Sequence, residues 1–195
     1  MRLTAYCDAD WNSSRDEHLS TTGWIIFLGD APISWCSRTQ RCVARSTAES
    51  EYVSLSSLTQ ELIYIQMLCA SLDNPTHTVN IHSNTGTHEQ PGCVTLWREY
   101  VRMHPHSIPQ IYSDSQNAIA NASMPPGWLQ EALRHVKTAF HFFKQFVYEK
   151  LISLEHCRSE DNPSDIMSKG FGKAKQTNQK EHIFMKHARF CLGYR

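Results

Sequence analysis

The chain has 195 residues, 41% of them apolar and 19% charged, a balance that fits one globular domain and excludes a disordered tail, a collagen or a coiled coil. Its 19 Lys and Arg balance 19 Asp and Glu, so no global field recruits nucleic acid or an anionic membrane, and any such binding must come from local patches. The seven cysteines are scattered without a CxxC pair, the pattern of reduced intracellular thiols rather than of a disulfide framework. No apolar run precedes Asp8 and none approaches the ~20 residues of a membrane span, so the expectation is a soluble protein that is not secreted and does not bind a membrane.

Leu3, Ala5 and Cys7 alternate with Thr4, Tyr6 and Asp8, the period-2 pattern of a strand over residues 2–8 that Asp8 closes. Two apolar runs, Gly23–Leu28 and Ala31–Cys36, flank the turn signal Gly29-Asp30 and predict a hairpin, with Trp24 and Trp35 in the core. From Thr47 onward the apolar residues 48, 52, 55, 58, 62, 65, 69 and 72 fall at steps of three and four, one stripe of a long helix. The box Ser46-x-x-Glu49 starts it, hydroxyl and carboxylate each satisfying a backbone donor. That gives Glu49 a structural role, while Glu51, at the border of the stripe, faces the sheet.

Residues 73–107 carry Asn-Pro, Pro-Gly and His-Pro breakers and read as an insertion. Its histidines and Cys93 match no standard zinc module and read as solvated loop. Residues 111–114 predict a short strand ending in a second carboxylate, and Ser115–Ala120 a short helix that Pro125 stops. Leu129, Leu133, Val136, Phe140, Phe143 and Val147 then trace a second amphipathic helix, with His135 and His141 as packed or surface histidines, and Leu151–Leu154 a last strand. Asn162 and Pro163 start a short helix carrying Asp165, with Asn162 as its N-cap. The expected division is one domain over 1–172, with the insertion at about 73–107, and a basic tail over 173–195.

This order puts Asp8 and Asp114 at strand ends, Glu51 on the long helix and Asp165 on the last one, so the four acids can meet at one edge of the sheet. Carboxylates clustered without Lys or Arg partners repel one another unless a divalent cation joins them, and hard oxygen ligands suit Mg²⁺, with Mn²⁺ as the alternative. Two such ions about 3.5–4 Å apart activate water and stabilise the leaving oxygen of a phosphodiester. Taken singly, each acid also has a plain structural role: Asp114 can cap the short helix, Asp165 suits a helix dipole, and Asp10, which shares parity with Asp8 if the strand runs on, is expected in a loop. Arg38, Gln40, Arg41 and Arg45 form a basic stretch suited to a phosphate backbone, although a solvated loop is the commoner outcome for such a run.

Seven motifs carry a family resemblance: Tyr6-Cys-Asp-Ala-Asp-Trp, Ser20-Thr-Thr-Gly-Trp, Gly29-Asp-Ala-Pro-Ile-Ser-Trp, Ser46-Thr-Ala-Glu-Ser-Glu-Tyr, Tyr112-Ser-Asp-Ser-Gln-Asn-Ala, His135-Val with His141-Phe, and Asp165-Ile-Met-Ser-Lys. In this order, over residues 3–171, they resemble the ribonuclease H domain of copia-type retrotransposon polyproteins. The resemblance implies an α/β, RNase H-like fold, a five-stranded mixed sheet flanked by helices, and Mg²⁺-dependent endonucleolytic cutting of the RNA strand of RNA–DNA hybrids. It implies that Asp8 bridges two ions, that Glu51 and Asp114 hold one and that Asp165 completes the other. Ser115 and Gln116 would join the basic stretch in contacting nucleic acid. The implied partners are the hybrid and the reverse transcriptase and integrase regions of one polyprotein, in the cytoplasm, a virus-like particle or the nucleus. Cellular ribonucleases H place a histidine shortly before the last aspartate; His156 falls on the last strand and is given no such role. The alternatives are an inactive or domesticated copy that binds nucleic acid or protein, and an integrase or transposase core.

Overall fold

A computed structural model describes residues 3–14, 17–73, 98, 100–128 and 141–170. The alternation of β1 (Leu3–Asp10) turns Leu3, Ala5 and Cys7 into the main core and Tyr6 toward the other side of the sheet. Strands β2 (Thr21–Leu28) and β3 (Ala31–Thr39) form the expected hairpin. With β4 (Gln110–Ser113) and β5 (Ser153–His156) they make one sheet in the order β3-β2-β1-β4-β5, the first three strands antiparallel and the last two parallel to β1. This is the five-stranded mixed sheet flanked by helices that the resemblance implies.

Helix α1 (Thr47–Asp73) packs on β1 and β2. Its stripe residues Tyr52, Leu55, Leu58 and Leu62 are fully buried, which is why the three-and-four spacing was so regular. The shorter α2 (Gln116–Ser123) and α3 (Lys144–Tyr148) complete that layer. The opposite face is covered in part by α4 (Asp165–Ser168), whose Ile166 and Met167 pack on Ile25 and Phe27. A side chain at Gly23 would meet α4 head on, since a Cβ there would lie 2.6 Å from the Ser168 nitrogen and 2.9 Å from the Met167 carbonyl carbon. Only glycine lets the helix backbone come this close to β2, which gives the Thr-Gly-Trp motif its physical reason. No helix among the described residues is long and apolar enough to cross a membrane.

Several expectations are corrected. β1 runs two residues past Asp8, because Ala9 and Asp10 still pair with Thr22 and Thr21, so Asp10 is on the strand and not in a loop. Trp35 is 62% exposed on the edge strand β3, whereas Trp24 is core. Residues 141–143 are not helical and α3 starts only at Lys144, so no helix runs unbroken to Val147, and residues 129–140 of that expectation lie outside the described residues. Most of the expected insertion, and the tail beyond 170, also lie outside them, but Tyr100 and Val101 are buried. Ser164, whose side chain makes no bond to the first turn, holds the N-cap position of α4. Asn162 instead ties the segment down, its amide donating to the Cys7 carbonyl and its oxygen accepting from the Ser164 hydroxyl.

Candidate metal centre

The parallel pairing of β1 with β4 ends at Cys7 opposite Ser113, so the next residue of each chain segment is an aspartate, Asp8 beside Asp114. Ligand sites of open sheets gather outside the carboxyl ends of parallel strands, and α1 adds a third acid there. Ser54, one turn beyond Ser50, donates to the Asp8 carbonyl at 2.8 Å. This small hydroxyl holds α1 close to β1 and carries Glu51 over the strand end.

One carboxylate oxygen from each of Asp8, Glu51 and Asp114 lies within 4.8 Å of the others. Asp8 and Glu51 are buried and Asp114 half-buried. Burial pushes the Glu51 carboxyl up to about 9, reinforced by the charges of Asp8 and Asp114. Its Oε2 is buried with no hydrogen-bond partner. Burial also raises the Asp8 carboxyl, against the lowering effect of Ser168 and Lys169. Three carboxylates, one of which keeps a buried oxygen without a hydrogen-bond partner, fit a divalent cation such as Mg²⁺ or Mn²⁺.

Helix capping does not compete for these groups. Glu49, two residues from Glu51, accepts from the Arg45 backbone N–H at 2.8 Å while its own N–H donates to the Ser46 hydroxyl. At α2 the cap is Ser115, whose Oγ accepts from the Ala118 N–H, and Asp114 is left to accept from the Ser159 hydroxyl. A cleft of about 480 Å³ opens beside the acids, lined among others by Glu51, Asp114, Ser115, Gln116 and His156. Ser115 and Gln116 thus border the acids, and His156, given no role from sequence, reaches the same cleft from the end of β5.

Asp165 does not join the group of three. It is buried, and its Oδ1 lies 2.7 Å from the Lys169 ammonium, which is also 3.2 Å from Asp8 Oδ2. The Ser168 hydroxyl donates to the same Asp8 oxygen. The premise of an acid cluster without a basic partner is thus overturned. The signal was present, because Asp165 and Lys169 are four apart and share a helix face.

The basic stretch is divided. Gln40 is buried and structural, its amide donating to Thr22 Oγ1 at 3.1 Å and to the Ser50 carbonyl at 2.9 Å. Arg38 donates to the Ser57 hydroxyl, and Arg41 and Arg45 are exposed ahead of α1. His141 hydrogen-bonds Tyr52 through Nδ1 at 2.9 Å, the packed histidine its neighbours implied. Cys7 is buried and Cys36, Cys42, Cys69 and Cys157 are half-buried.

Comparison with known proteins agrees with the motif order. The chain is 29% identical over 169 residues, 87% of its length, to the retrovirus-related Pol polyprotein from transposon RE2 of Arabidopsis thaliana. It is 27% identical over 169 residues to that from transposon TNT 1-94 of Nicotiana tabacum. The chain spans only about a tenth of the length of either polyprotein. No protein-family model matches. Among solved structures, LC11-RNase H1, isolated from compost, covers 92% of this chain and 91% of its own at 9% identity and a TM-score of 0.40; the fold rests on the strand order above rather than on this likeness.

Proposed function

From this kinship with the Pol polyproteins of copia-type transposons, we propose that the chain is a metal-dependent ribonuclease H, an endonuclease that hydrolyses the RNA strand of RNA–DNA hybrids. The observation that carries the reading is the convergence of Asp8, Glu51 and Asp114, from β1, α1 and the end of β4, around a buried oxygen that no protein group satisfies. A divalent cation held by these oxygens supplies the Lewis-acid chemistry of phosphodiester hydrolysis.

The protein's own contribution is placement. Glu51 is carried by α1 and Asp114 follows the end of β4, and both line the cleft. The hydroxyl and amide groups of Ser115 and Gln116 suit phosphates and 2′-hydroxyls, which distinguish RNA from DNA by shape rather than by base. The exposed guanidinium groups of Arg41 and Arg45 add local positive charge to a chain that is neutral as a whole. Neutrality predicts weak affinity for the hybrid alone, and the reverse transcriptase and integrase regions of the same polyprotein are the partners that would supply the rest.

The test is cleavage of a labelled RNA–DNA hybrid in Mg²⁺ or Mn²⁺, with Asp114→Asn beside the parent chain. Loss of a ligand worth several kcal/mol should slow cutting by about 10³. Equal cutting by both would remove Asp114 from the mechanism. An inert parent chain would leave a binding module, and cutting of duplex DNA would mark an integrase-like core.

A further inference from the structure

The Lys169 ammonium sits between Asp8 and Asp165, 2.7 Å from Asp165 Oδ1 and 3.2 and 3.3 Å from the two Asp8 oxygens. This is the place a second ion would take if Asp8 bridged two cations and Asp165 completed the outer one. Building on the function proposed above, we infer that the centre holds a single divalent cation, at Asp8, Glu51 and Asp114, and that the Lys169 ammonium stands in for the second.

Three features keep the ammonium there. Charge-assisted contacts to two carboxylates are roughly twice as strong as neutral hydrogen bonds, and both carboxylates are buried. The Lys169 backbone is fixed as well, its N–H donating to the Asp165 carbonyl at 3.0 Å. Finally, α4 rests directly on the backbone at Gly23, so the turn that ends in Lys169 cannot sink further or slide along β2. With the ammonium in place one divalent cation nearly balances the four carboxylates. A second would bring two cations and an ammonium within a few Å of one another, a repulsion that no described group offsets.

The measurement is Mn²⁺ binding to the full chain, by calorimetry for stoichiometry and by electron paramagnetic resonance for the distance between ions. The parent chain should bind one Mn²⁺ with the spectrum of an isolated ion. Lys169→Ala should bind two whose spins couple, and Lys169→Arg, which keeps the charge, should bind one. A merely structural lysine would not create a spin-coupled pair when removed. Two coupled ions in the parent chain overturn the inference, and so does a folded Lys169→Ala chain that still takes only one. Should Lys169→Ala fail to fold, the parent and the Arg variant decide, two ions in either counting against it. No bound Mn²⁺ in any chain overturns both this inference and the proposed function. Hybrid left uncut beside a single bound ion overturns the function alone.

Discussion

On one flank of Asp8, Glu51 and Asp114 face it within 4.8 Å, beside a cleft, and no ion pair reaches either of them among the described residues. On the other flank a single carboxylate, Asp165, faces it with an ammonium between and a serine hydroxyl alongside. Both flanks bury like charges, which is costly unless each is paired. The closed flank pairs them with its own lysine and becomes structure. The open flank leaves them without an ion pair among the described residues, and a buried acid such as Glu51, its carboxyl pushed up beside a cleft, is the mark of a site built for something from outside.

Removing a charge from the open flank should give the largest change in stability. The Glu51 carboxyl is raised from 4.5 to about 9, so the folded chain holds this proton more tightly than the unfolded one. The associated stability is full below about pH 4.5 and is lost as pH climbs toward 9. In chelator, Glu51→Gln should therefore stabilise the chain at pH 8 by a few kcal/mol and change little at pH 4, as read by denaturant melts at the two values. Saturating Mn²⁺ should reverse the order at pH 8, because binding to the folded state alone stabilises only the chain that binds. A pH-independent difference between the two chains would mean that Glu51 is not the strained group.

The closed flank is tested through its packing. Gly23→Ala places a methyl 2.6 Å from the Ser168 nitrogen, which α4 can relieve only by lifting off β2. Overpacking of this kind costs about 1–3 kcal/mol. The lift should pull Lys169 from Asp8 while leaving Glu51 and Asp114 in place. The expected result is a lower Tm with the first Mn²⁺ still bound. An unchanged Tm would show that α4 is not seated as tightly as the backbone distances require.

The same division governs what the sequence made legible. β1 and α1 were readable because their apolar core residues recur at a period of two and of 3.6, carried by Leu3, Ala5 and Cys7 and by Tyr52, Leu55, Leu58 and Leu62, and the hairpin because two apolar runs flank Gly29-Asp30. The open flank was readable for a related reason, since acids at strand ends and on a helix border are out of place in those patterns. The closed flank was readable only in part: the spacing of four between Asp165 and Lys169 was visible, but Lys169 also reaches Asp8 across 161 residues of sequence, a contact beyond the reach of any local pattern. Gln40 was misplaced for the converse reason. Set among arginines it reads as surface, but its amide is buried against Thr22 and Ser50, a contact that no local pattern encodes. Trp35 sits on the edge strand β3 and stays mostly exposed there, so its alternation is that of a strand without being that of a core.

The smallest effect comes from the glutamate that looks most like Glu51 and differs from it only in what it faces. Glu49 lies two residues earlier on the same helix, is equally buried, and spends its carboxylate on the Arg45 N–H. Glu49→Ala should cost about 1 kcal/mol, the ordinary value of a lost cap interaction. It should leave Mn²⁺ stoichiometry and hybrid cutting as they are, since the rest of α1 is held by its buried stripe and by Ser54. Thermal melts and the cleavage assay on one preparation separate the two glutamates. If Glu49→Ala stopped cutting in a chain that melts normally, while Glu51→Gln cut at the parent rate, the roles would be exchanged and the open flank would have to be rebuilt around the first turn of α1.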